Sequence, residues 1–172
     1  PSLIDDSLDR DLIVSTFAKP NTKLHFGRVA IVPSHRRSEQ YYVLGSTISG
    51  TKNIFTLISD LKAGNIEKTL VIINRYDGID LPDESCRLLI IDSMPYFNSL
   101  VDRYEEQCRV NSDIINIRLA QRIEQGLGRS VRGEKDYSVI LLIGADLVKF
   151  IRSTRTSRYF SPQTKKQIDI GF

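Results

Sequence analysis

Val29-Ala-Ile-Val-Pro-Ser34 decides how the chain is read. Four apolar residues run without a polar interruption. A strand with one wet face alternates, whereas a strand buried on both faces of a parallel sheet reads as a continuous run. Pro33 closes the run because it has no N–H to give a ladder. Ser34 then supplies a hydroxyl suited to capping a helix, predicted over 35–44. A buried strand passing straight into a helix is half of an α/β unit.

Similar units recur on either side. Short strands are predicted over Ser46–Ser49, Thr69–Ile73, Leu88–Ile91 and Val139–Ile143. A helix from Thr51 places Ile54, Phe55, Leu57, Ile58 and Leu61 on one face and ends at Gly64. Further helices are predicted over 99–109, 113–127 and 145–153. In 113–127, Ile115, Leu119, Ile123 and Leu127 recur every four residues. Strands alternating with helices predict an α/β three-layer sandwich around a mainly parallel sheet. Residues 1–24 read as a lead-in segment or a connection from an upstream domain, with Leu8, Leu12 and Ile13 forming one short helical face. Residues 25–172 read as the domain. Pro1 in place of Met suggests a processed chain or a piece of a longer one. Ser161–Phe172 reads as polar and without a defined element.

Composition narrows the class. With 41% hydrophobic and 26% charged residues, the 172-residue chain fits a single soluble globular domain. No run of about 18 apolar residues exists, so no membrane span is expected, and the expected location is cytoplasmic. Cys86 and Cys108 have no metal-ligand spacing and read as reduced core thiols, so no metal site is expected from them. His35 has no Cys, Ser or second nearby His to work with, which leaves a catalytic triad unsupported and reads as a solvated helix-start residue. The formal charge of +3 is uneven: Leu147–Ile168 holds six basic residues and no acid, and without it 18 basic residues face 21 acidic ones, a formal −3. Such asymmetry can mark an edge facing a polyanion.

Two stretches carry chemistry. In Gln121-Arg-Ile-Glu-Gln-Gly-Leu-Gly-Arg-Ser-Val-Arg132, the amphipathic pattern breaks at Gly126 and Gly128, and Arg129 and Arg132 follow three apart. Arginine presents a planar fork of donors matched to phosphate. The plain alternative is a pair of surface arginines completing a helix end. In Arg75-Tyr-Asp-Gly-Ile-Asp-Leu-Pro82, Gly78 lets backbone approach a ligand, Asp80 is suited to a ribose hydroxyl or a metal-bound water, and Arg75 to a phosphate. The alternative is a structural turn in which Asp77 and Asp80 bond nearby backbone N–H groups. Because ligands of parallel sheets bind beyond the carboxyl ends of the strands, three stretches share one expected edge: Val32–Arg37 after the first strand, Arg75–Pro82 after the third, and the Gly128-Arg-Ser-Val-Arg132 turn before the last, reaching it through its helix.

Together these stretches resemble the second, C-terminal RecA-like domain of superfamily 2 DEAD/DEAH-type helicases. Val32-Pro-Ser34 is similar to the fourth motif, Arg75–Pro82 to the fifth, and Gln125-Gly-Leu-Gly-Arg-Ser-Val-Arg132 to the sixth. Ser93-Met-Pro-Tyr96 and Asp136-Tyr137 resemble the XPD/DinG-like branch. The resemblance spans roughly 28–152. It implies that Arg129 and Arg132 are arginine fingers to ATP, with Mg2+, held mainly by a first RecA-like domain of the same polypeptide. It places Gly78, Asp80, Gln125 and Gly128 at that nucleotide interface. Ser34, His35, Arg36 and Arg75, with neighbouring backbone amides, would hold nucleic acid, DNA favoured over RNA. No Walker A or DEAD/DEAH motif occurs, so this chain alone is expected to be inactive. The competing expectation is a non-catalytic nucleic-acid or protein interaction module, with Tyr159 and Phe160 stacking on a single strand among the cations of 149–166.

Overall fold

The computed structural model describes residues 5–76, 79, 81, 83–96, 104, 107–108, 113–130 and 136–171. Five strands form one sheet: β1 (Arg28–Val32), β2 (Thr47–Ile48), β3 (Leu70–Ile73), β4 (Leu88–Asp92) and β5 (Val139–Ile143). Their order is β2-β3-β1-β4-β5 and every pairing is parallel. Ala30 at the centre lies opposite Val71 on one side and Ile90 on the other.

Alternation within the apolar runs sorts side chains to two cores. Val29, Ile31, Leu70, Ile72, Leu89 and Ile91 face one; Ala30, Val32, Val71, Leu88 and Ile90 face the other. The first face is covered by α3 (Ile54–Lys62), α4 (Ile114–Leu127) and α5 (Ala145–Arg152), through residues such as Ile58, Ile123 and Leu147. The second is covered by α1 (Arg10–Phe17) and α2 (His35–Val43), through Ile13, Val14 and Tyr41. This is the α/β three-layer sandwich read from the runs. α6 (Thr154–Ser157) and α7 (Pro162–Ile170) follow α5.

α1 falls inside the stretch read as a lead-in, and it is packed on the sheet. Its end is fastened by Arg28, whose buried guanidinium donates to the carbonyls of Phe17 (3.2 Å), Lys19 (3.1 Å) and Glu67 (2.5 Å). Three expectations need correction. Gly126 does not break α4: the helix runs through it to Leu127, because a Cβ there would come within 3.1 Å of Ile91 and the Tyr76 ring, and glycine admits that approach. Phe55 is exposed and lies under Arg75, with 5.8 Å from guanidinium carbon to ring centroid, because the buried stripe of α3 runs through Ile54, Ile58 and Leu61 and leaves Phe55 to one side. The polar tail contains α7, capped by the Ser161 hydroxyl accepting from the Thr164 N–H (3.2 Å), with Pro162 in its first turn. Most of the helix predicted over 99–109 lies outside the described residues.

Candidate nucleotide and nucleic-acid interface

The chain crosses the sheet twice. From β1 it moves outward to β2 and back through β3, then passes β1 to reach β4. Adjacent strands that lead off in opposite directions leave a crevice at their carboxyl ends. A cleft of about 560 Å³ occupies that place, lined by Pro33, Ser34, Arg36, Arg37 and Gln40 after β1, by Ser93, Met94 and Tyr96 after β4, and by Gly144–Asp146 after β5.

Turn geometry makes the opening. Asn74 and Ser93, the first residues past β3 and β4, have φ of 51° and 73°. Gly144, the first past β5, has φ of 102°, and a Cβ on it would come within 3.0 Å of the Ser93 Cα. Left-handed backbone of this kind is costly outside glycine and clusters where function requires it.

Beside the cleft, a buried carboxylate holds its floor. Asp92 is fully buried at the end of β4 and accepts from Arg10 Nε (2.9 Å), Arg10 Nη2 (2.6 Å), the Tyr41 hydroxyl (3.1 Å) and the Ser93 hydroxyl (2.8 Å). Arg10 also donates to Gln40 Oε1 (2.7 Å). Burial, reinforced by the Asp92 charge, pushes the Tyr41 phenol well above its ordinary range. Two residues of the lining, Gln40 and Ser93, are thereby positioned by one network.

Ser34 caps α2, its hydroxyl accepting from the Arg37 N–H (3.4 Å). The helix N-terminus, Arg36 and Arg37 together favour an anion in the cleft. His35 is exposed outside the lining, and Arg75 lies over Phe55. The cleft therefore gathers Ser34 and Arg36 of the four predicted nucleic-acid residues. Sequence reading marked the stretch that holds Arg37 without giving that residue a role, and it missed Gln40 and the Asp92 network. An aspartate closing an apolar strand was their one visible sign.

The expected convergence of three stretches on one edge is not met among the described residues: Arg129 is half-buried and, like Arg75, does not line the cleft, and it instead ties the two chemistry-bearing stretches together. Its Nε donates to the Tyr76 carbonyl (2.8 Å) and its Nη1 to that of Ile79 (3.1 Å), while its own carbonyl accepts from the Leu81 N–H (3.2 Å). Its Nη2 bonds nothing among the described residues. Tyr76 itself is buried, its phenol pushed upward by desolvation. Gln125 and Gly128 are exposed at the end of α4. Gly128 has an ordinary φ of −77°, and the nearest atom to a Cβ there among the described residues is 3.6 Å away, so none of them requires glycine. Arg132, Gly78 and Asp80 lie outside the described residues.

The donor chemistry at Arg129 and in the cleft fits phosphate oxygens. Among the described residues no group of three or more His, Cys, Asp or Glu could hold a metal ion, and no helix is long and apolar enough to cross a membrane. Cys86 is buried, with its thiol pushed up to about 12 by desolvation, whereas Cys108 is exposed rather than in the core.

The helicase C-terminal domain model matches residues 32–163. The chain belongs to that family: it is a helicase C-terminal domain. A solved structure titled as apo XPD superposes with a TM-score of 0.57 at 17% identity, covering 87% of this chain and 33% of that one. The parallel sheet and its flanking helices thus share the fold of XPD. The chain spans about a third of the XPD chain it matches. No curated protein matches it.

Proposed function

We propose that this chain is the C-terminal motor domain of an ATP-dependent nucleic-acid helicase or translocase. A first RecA-like domain of the same polypeptide binds ATP and most of the Mg2+ coordination. Arg129 and Arg132 reach the γ-phosphate from this side and stabilise charge that develops in phosphoryl transfer. Gly78, Asp80, Gln125 and Gly128 lie at that nucleotide interface. Ser34 and Arg36, with His35 and Arg75 at the margins, hold backbone phosphates of one strand, DNA in preference to RNA. Such contacts position a strand without reading its sequence.

The observation that carries this reading is the bonding of Arg129 to the 76–79 backbone. An arginine fixed along one edge presents its other edge in a set orientation, which is what a finger needs at the moment of reaction. Gly128 supports the same reading, since nothing among the described residues asks for glycine there and a closely approaching ligand or domain would.

The test uses the polypeptide with both RecA-like domains. Arg129→Ala and Arg132→Ala should each lower ATP turnover by about 10³-fold or more, in the range of arginine-finger losses. ATP binding should be largely kept. Wild-type turnover in both variants would overturn the finger assignment.

A further inference from the structure

The basic stretch that follows the cleft divides into two parts. Arg158 is spent internally: it pairs with Asp113 at the start of α4 (2.9 Å) and lies over the Tyr159 ring (4.8 Å). Lys165 donates to the Arg158 carbonyl (3.3 Å). Phe160 is only 3% exposed and meets Phe150 edge-on, so it has no face for a base. The stacking surface expected from Tyr159 and Phe160 is therefore a packed corner of the domain.

The other part is open. α5 buries Leu147 and Ile151 and exposes Ala145, Asp146, Lys149 and Arg152. Ala145, Lys149 and Arg152 stand at i, i+4 and i+7, one stripe along the helix. Its first member lines the cleft. Lys149 thus stands one helical turn, about 5.4 Å of rise, beyond the cleft mouth. Arg155 is exposed at the next bend of the chain, in α6. Lys149 and Arg155 make no ion pair among the described residues. The nearest acid on this face is Asp146, which accepts from the Tyr96 hydroxyl (3.3 Å) and sits in the first turn of α5, where the helix dipole offsets its charge.

We infer that the outer face of α5, through Lys149 with Arg155 beyond it, carries the phosphate backbone of a single strand onward after it leaves the cleft. The inference rests on the reading of the cleft as the strand grip and extends it to a second set of phosphates. Continuity with the cleft through Ala145 singles out this face, and Lys149 and Arg155 supply it with exposed cations outside any ion pair among the described residues. The recognition is of phosphates, so it is shared by DNA and RNA.

Anisotropy with labelled oligo(dT) tests it on this chain, using lengths near 4 and 16 nucleotides, about the range one small binding surface covers. Lys149→Glu/Arg155→Glu should bind the short oligonucleotide as wild type does and the long one about tenfold more weakly. The salt slope on the long one should flatten by about 1.4, because two phosphates go unneutralised and each contributes about 0.7 on a single strand. Oligo(rU) of the longer length should lose as much. Arg36→Glu should weaken both lengths. If the double variant matches wild type on both lengths while Arg36→Glu weakens both, the α5 track is wrong and the cleft grip stands. Equal loss on short and long would also overturn the track, since it would mean a general charge effect. If neither variant changes binding, both readings fall. Melting curves identify a folding defect, and Lys149→Gln/Arg155→Gln repeats the comparison if the reversal unfolds the chain.

Discussion

Arg129 spends two N–H donors on carbonyls more than 45 residues away in sequence, those of Tyr76 and Ile79. Lysine has the charge but a single ammonium point, and cannot hold both carbonyls in the same fork. Arg129→Lys should cost about 2 kcal/mol, the scale of charge-assisted hydrogen bonds. Amide exchange at Leu81 should rise, and turnover in the complete motor should fall by up to about 100-fold, the cost of misplacing reacting groups. Full protection at Leu81 would remove the loop-anchoring role. Asp92 is the counterpart beside the cleft. Asp92→Ala takes away the buried partner of Arg10 and leaves it Gln40 and the exposed Asp11, so the loss should be about 3 kcal/mol, the low end for breaking a buried pair, readable by urea unfolding. The Ser34 cap was legible because both its partners are local. The Arg129 and Asp92 networks were not, because a backbone carbonyl leaves no mark in a sequence, and Arg10 lies 82 residues from Asp92.

Elements were legible where period and punctuation agreed. The apolar runs of β1, β3 and β4 became the central strands, since burial on both faces leaves no room for polar residues, whereas β2 and β5 lie at the edges, where Thr47 is tolerated and Val139 is exposed. α7 was missed although Ser161-Pro162 is a sound start signal. Its sequence is mostly polar, and only Thr164 is buried, so periodicity had little to report. Gly126 misled for the opposite reason: a glycine inside a helix looks like an ending until the packed partner is known. Two glycines at element ends give opposing predictions. Gly144→Ala forces a positive φ on alanine and presses on the Ser93 backbone, so it should destabilise by about 1–3 kcal/mol and weaken oligonucleotide binding. Gly128→Ala should leave the melting temperature unchanged and still slow ATP turnover. A normal rate in Gly128→Ala would say that nothing approaches the end of α4 closely.

Across the whole molecule, the parallel α/β class followed from the runs, but the strand order did not, because crossovers over the sheet have no sequence signature. That order is what brings the ends of β1, β4 and β5 to one cleft. Burial also sets a limit at high pH. Desolvation pushes the Cys86 thiol up to about 12 in the folded chain, from an ordinary value of 9.0. The unfolded chain therefore loses this proton first. Stability is fully present below about pH 9 and falls as pH rises toward 12, by up to roughly 1.4 kcal/mol per unit from this group. Cys86→Ala should flatten that part of the unfolding profile, and an unchanged profile would assign it to the buried tyrosines. In native protein a thiol reagent should modify Cys108 quickly and Cys86 only on unfolding.

The claim that joins the two sites is that the edge built by β1, β4 and β5 grips a strand while the Arg129 region serves ATP. The direct measurement is ATP turnover of the polypeptide carrying both RecA-like domains, followed against single-stranded DNA concentration, with Arg36→Glu beside wild type. The account predicts stimulation by DNA in wild type. In the variant, half-stimulation should need about tenfold more DNA, with a similar rate at saturation. Turnover indifferent to DNA in wild type, or an identical DNA requirement in Arg36→Glu, would contradict it.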